Sequence, residues 1–129
     1  MPDDLSPEEL ELLRSAFDLA RNGDRDELVG LVDAGVPVNL TNSAGDSLLI
    51  LAAYHRHGDL VRALLERGAD TARVNDMGQT ALAAAVFRQD HGIVTDLLRA
   101  GADPALGPKS AVAVATFFDL PEMLALLRS

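Results

Sequence analysis

A repeat of 33 residues constrains this chain more than any other feature. Gly35, Gly68 and Gly101 stand 33 apart, and so do Gly45 and Gly78. The segments around the first set read Asp33-Ala34-Gly35-Val36-Pro37, Glu66-Arg67-Gly68-Ala69-Asp70 and Arg99-Ala100-Gly101-Ala102-Asp103. A second set follows each turn: Ser47-Leu48-Leu49-Ile50-Leu51-Ala52-Ala53, Thr80-Ala81-Leu82-Ala83-Ala84-Ala85-Val86 and Ser110-Ala111-Val112-Ala113-Val114-Ala115-Thr116. The last of these comes 30 residues after its predecessor, so the loop before it is three residues short. A unit this small cannot bury an apolar face alone. It must stack on its neighbours, and about three units are the minimum for a stable array.

Each unit spells two helices. A Ser or Thr opens a short Ala-rich helix by capping its free N–H groups. A polar loop follows, and then a second helix with apolar residues at helical spacing. These are Leu60, Val61, Leu64 and Leu65 in one unit and Ile93, Val94, Leu97 and Leu98 in the next. Glycine in a left-handed conformation ends the second helix. Gly45 or Gly78 then allows the tight turn of the following loop. With 48% apolar residues and only Phe17, Tyr54, Phe87, Phe117 and Phe118 aromatic, the core is built from Leu, Val and Ala.

The period and the Gly-Ala-Asp turn resemble the ankyrin repeat. Gly68-Ala69-Asp70 and Gly101-Ala102-Asp103 match the turn, and Thr80-Ala81-Leu82 and Ala52-Ala53 match part of the signature helix. His57 falls where the family carries the His of its Gly-His pair. The resemblance covers residues 14 to 128. It implies an all-α solenoid of four stacked helix-turn-helix units, at about 6–41, 42–74, 75–107 and 108–129. Ser6-Pro7-Glu8-Glu9 is a strong start for the first helix, which is expected to run to about Asn22. The family's Thr-Pro-Leu-His is Ser47-Leu48-Leu49-Ile50 and Thr80-Ala81-Leu82-Ala83 here, so its loop-tying His is absent. The loops are therefore expected to be held more by apolar contact, with less rigidity.

Composition narrows function. A formal charge of −9 opposes nucleic-acid and anionic-membrane partners, which need clustered Lys and Arg. Lys109 is the single lysine beside ten arginines, which reads as compositional bias. With no cysteine, disulfides and thiolate metal sites are excluded. Met1-Pro2-Asp3-Asp4 lacks the basic and apolar regions of a secretory signal, and no apolar run reaches the ~18 residues of a membrane span. A cytoplasmic, bacterial protein is the expectation. There is no Gly-x-Ser-x-Gly elbow and no phosphate loop, so neither an enzyme nor a cofactor is expected. His55, His57 and His91 lack the carboxylate or thiolate company that a metal site needs.

The resemblance implies a protein partner bound on the concave side, at the loop tips and the ends of the first helices. By register these are Thr41, Ser43, Ala44, Asp46, Val74, Asp76, Met77 and Gln79 on the loops. On the helices they are Arg21, Asn22, Tyr54, His55, Phe87, Arg88, Phe117 and Phe118. Tyr54, Phe87 and Phe117 share one register and should form a ladder beside Arg88. Such rings either face a partner as anchors or fold down between repeats. A second reading is an acidic inhibitor or immunity-type protein, with Asp46, Asp70, Asp76 and Asp103 meeting a basic cleft. The last helix, Pro121–Arg128, is more apolar than its counterparts at Ala125 and Leu126. A monomer is expected, and the alternative is a homodimer through this end.

Overall fold

The computed structural model describes residues 6–128, so the readings made on Met1–Asp4 and Ser129 lie outside the described residues. Among the described residues eight helices follow one another: α1 Pro7–Asn22, α2 Arg25–Asp33, α3 Leu48–Tyr54, α4 Gly58–Glu66, α5 Ala81–Phe87, α6 His91–Arg99, α7 Ala111–Phe117 and α8 Pro121–Arg128. They form two rows. The odd-numbered helices pack side by side in one row and the even-numbered helices in the other. The odd row is the tighter, because its facing side chains are small: Ala52, Ala53, Ala83, Ala84, Ala85, Ala111 and Ala115. The tighter row lies on the inside of the curve of a solenoid.

Local chemistry sets the helix starts. The Ser6 hydroxyl accepts from the Glu9 N–H at 3.1 Å while the Glu9 carboxylate accepts from the Ser6 N–H at 3.0 Å, a reciprocal capping box. Ser47, Thr80 and Ser110 each accept from the amide three residues on, and all three are buried. The second helices of the first three repeats end as the glycine spacing predicts. At α4, for example, Gly68 takes φ 85° and the Ala69 N–H reaches the Leu64 carbonyl at 3.0 Å.

One core runs through all eight helices, from Ala16, Phe17 and Ala20 in α1 to Met123 and Leu127 in α8. Ion pairs on the surface link successive repeats: Arg67–Asp33 at 2.9 Å, Arg62–Asp96 at 3.2 Å and Arg56–Asp90 at 3.3 Å. Exposed pairs of this kind each contribute little to stability.

The loops are not held as their lost histidine suggested. The side-chain oxygen of Asn42 accepts from the Ala44 and Asp46 amides, and that of Asn75 accepts from the Met77 and Gln79 amides. The Asp76 N–H donates to the Ala44 carbonyl and the Lys109 N–H to the Gly78 carbonyl, both at 3.0 Å. The first two loops are thus stitched internally by an Asn, and the second and third are tied to the preceding loop by backbone bonds. Hydrogen bonds, rather than the apolar contact expected from the sequence, replace the family's histidine.

Candidate functional site

The last residue of each short helix and the capping residue after it point out of the inner row. Tyr54, Phe87 and Phe117 end α3, α5 and α7, and His55, Arg88 and Phe118 cap them. Tyr54 is 40% exposed, Phe87 43%, Phe117 80% and Phe118 50%, so none of these rings folds into the core. The fifth aromatic, Phe17, is buried in α1.

The rings form a row with an order that register alone misses. Tyr54 and Phe87 stack nearly parallel, with centroids 6.3 Å apart and an interplanar angle of 6°. The ring that meets Phe87 next is that of Phe118, edge-to-face at 5.5 Å, and Phe117 packs on Phe118 at 4.9 Å. The expected Tyr54-Phe87-Phe117 ladder is therefore corrected in its third rung. At both of these repeat interfaces the capping residue reaches back over the final ring of the repeat before it. Phe118 does so to Phe87, and Arg88 does so to Tyr54, with its guanidinium carbon 5.3 Å from the ring centroid. His55 stands edge-on to Tyr54 at 5.1 Å.

Two open depressions flank this row. One, of about 320 Å³, lies between the second and third repeats and is lined by Asp46, Tyr54, Asn75, Met77, Gln79 and Phe87. The other, of about 420 Å³, lies between the third and fourth and is lined by Gln79, Phe87, Pro108, Lys109, Phe117 and Phe118 among others. Gln79 and Phe87 border both. The structure thus brings Tyr54, Phe87, Asp46, Met77 and Gln79 to one wall-and-floor arrangement, while Phe117 belongs to the second depression and Asp76 to neither lining. Sequence reasoning passed over Pro108 and Lys109. Their position in the shortened loop, directly before the Ser110 cap, was the available signal.

Three of the four acidic loop residues accept hydrogen bonds, and the fourth, Asp76, is exposed. Asp46 accepts from the Asn75 side-chain amide at 2.8 Å. Asp70 accepts from the Ala72 amide and pairs with Arg73, and Asp103 accepts from the Ala105 amide. The His55 and His57 rings stack with centroids 6.3 Å apart, and no group of three metal-ligating side chains stands together among the described residues. The His57 Nε2 lies 2.7 Å from the Arg21 carbonyl, which can only accept, so this nitrogen is the donor. That bond joins the first repeat to the second. His91 stands 3.7 Å from Glu122. Partial burial lowers the pKa of His55 first, and the nearby charges of His57, Arg88 and Arg21 lower it further.

The stacked helix pairs, the glycine-ended second helices and the paired loops agree with what comparison with known proteins finds. The family model described as ankyrin repeats (3 copies) matches residues 17–106. The chain belongs to the ankyrin-repeat family. It is also 49% identical over 59 residues to a Pseudomonas aeruginosa protein described as an ankyrin repeat protein, a match spanning 46% of this chain and 34% of the relative. This chain thus covers about a third of the relative's length. Ankyrin repeats are in general protein-interaction modules without catalytic activity of their own. Among the described residues, no helix is long and apolar enough to cross a membrane.

Proposed function

We propose that this chain is an adaptor or regulator that binds a partner protein through its inner surface, with Tyr54, Phe87, Phe117 and Phe118 as the central anchors. His55, Arg88, Asp46, Asp76, Met77 and Gln79 form the surround. The observation that carries this reading is the unbroken row of exposed rings between two depressions. Four large rings on the face of a 129-residue chain are held in place by one another rather than by the core, so they lose little side-chain freedom on meeting a partner. Rigid aromatic anchors ringed by polar groups are what dominate the energetics of protein interfaces.

The reading as an acidic inhibitor receives less support. Asp46 already accepts from Asn75 of the next loop, and Asp70 and Asp103 accept from amides of their own loops, so meeting a basic cleft would forfeit those bonds; of the four acidic loop residues, only Asp76 would meet it without that loss. The test is affinity capture from the native host with the wild type and a Tyr54→Ala, Phe87→Ala, Phe117→Ala triple variant. All three side chains are exposed, so the variant should fold, and circular dichroism checks this. A protein retained by the wild type and lost by the variant is the expected result. Equal retention by both would remove the row from the binding site.

A further inference from the structure

The chain carries 20 acidic residues against 11 basic ones, yet two cations, Arg88 and Lys109, stand beside the row of rings on the surface that also carries Asp46 and the exposed Asp76. Arg88 lies over Tyr54, His55 stands beside it, and Arg21 and His57 are close enough to act on the His55 proton. Lys109 is the one charged residue lining the larger depression. Arg88 and Lys109 have no ion-pair partner among the described residues; elsewhere Arg56, Arg62 and Arg67 are paired, while Arg99 at the end of α6 is not. Asp46 is the single carboxylate lining either depression, and its oxygen is taken up by Asn75.

We infer that the partner element is a locally acidic segment that seats an apolar side chain between Phe87, Pro108 and Phe118, with flanking carboxylates placed against Lys109 and Arg88. This rests on the inner surface being the binding face. The larger depression is walled by rings and proline, so it selects an apolar or aromatic residue. Its cation, Lys109, sits on the loop side and Arg88 lies over the Tyr54 ring, so acidic residues are favoured next to the anchor toward these two cations and away from Asp46, which lines the neighbouring depression. Arg88 is exposed, so a carboxylate bound over it gains modestly and serves selection among segments more than affinity. The overall negative charge of the chain repels acidic proteins at long range. The complementarity is therefore local, and it discriminates among short segments rather than steering whole molecules.

The experiment is selection of a random-peptide display library on the intact wild-type protein, followed by anisotropy titration of the enriched peptides. The expected peptides carry an apolar or aromatic residue flanked by Asp or Glu. Their affinity falls as salt rises, and falls by about tenfold or more in an Arg88→Glu, Lys109→Glu variant. An Arg88→Gln, Lys109→Gln variant gives an intermediate loss and guards against misfolding of the reversed pair. Reselection on the reversed variant yields Lys and Arg flanks. Peptides that lose affinity on Phe87→Ala but show no preference for acids, or prefer bases, overturn the acidic partner and leave the binding face standing. Peptides indifferent to Phe87→Ala overturn the face itself. Failure to enrich any peptide counts against the segment proposed.

Discussion

The third and fourth repeats are built on one plan, and only one of them is covered on both sides. In α5 every residue from Ala81 to Val86 is buried; in α7 only Ala111, Val114 and Ala115 are. The register pairs differ accordingly. Ala83 is buried and Ala113 exposed; Leu82 is fully buried and Val112 only partly so. Val86, with no exposed surface, becomes Thr116, which faces solvent. Burial in this fold is thus a property of having a next repeat, not of a residue's place within its own. A polar side chain, Thr116, stands at the exposed counterpart of buried Val86. In the outer row Met123 and Leu127 turn inward, but Ala125 stays exposed.

The largest test of that contrast is a pair of truncations at equivalent sites. Leu82→Ala should cost about 3 kcal/mol, because a doubly covered site cannot collapse around the cavity, while Val112→Ala should cost less than about 1.5 kcal/mol. Urea denaturation of both variants measures the difference. Equal losses would mean that the fourth repeat is packed as tightly as the third, and the distinction between them would fall.

How far the sequence spoke depends on the same distinction between local and neighbour-made features. Ser47, Thr80 and Ser110 as caps, Gly35, Gly68 and Gly101 as helix ends, and the close of α1 at Asn22 are set by residues within a few positions, and all were legible. The meeting of Phe118 with Phe87 was not. It depends on a capping side chain reaching back across the repeat interface, which spacing along the chain does not encode. The bonding of Asn75 to Asp46 and of Lys109 to Gly78 was hidden for the same reason. Nor did composition reveal that an acidic chain leaves Arg88 and Lys109 unpaired on one face.

A second comparison runs along the residues that follow each inner helix. Gly23, Arg56, Gln89 and Asp119 occupy one register, and all four take positive φ, at 75°, 65°, 56° and 53°. Glycine accepts that region freely; side-chain-bearing residues do not. At Gly23 there is a further constraint, since a Cβ there would stand 2.5 Å from the His57 Nδ1. Gly23→Ala should therefore lose about 1–2 kcal/mol by forcing strain and dislodging the bond from His57 to the Arg21 carbonyl. Gln89→Gly should move the other way, gaining about 0.5 kcal/mol once the greater freedom of the unfolded glycine is subtracted. Thermal melts of both variants show the opposite signs. A loss at Gln89→Gly would mean that its side chain contributes more than the conformation costs.

The smallest effect expected lies at the capping register, where His55, Arg88 and Phe118 are equivalent and only His55 titrates near neutrality. Its folded pKa is lowered from the usual 6.5, first by partial burial and then by His57, Arg88 and Arg21. The unfolded chain therefore binds a proton at His55 more readily than the folded one. Stability from this residue is fully present above 6.5 and is lost as pH falls through the lower folded value. The readout is the difference between two curves, so that everything but His55 cancels. The melting temperature of the wild type should decline more steeply from pH 7 to 5 than that of His55→Gln. If the surrounding cations are the reason, Arg88→Gln should flatten part of the same decline while leaving the burial contribution in place. Parallel curves for all three proteins would mean that the ring is solvated well enough to ignore its neighbours, and that the cationic character of this end of the inner surface is screened.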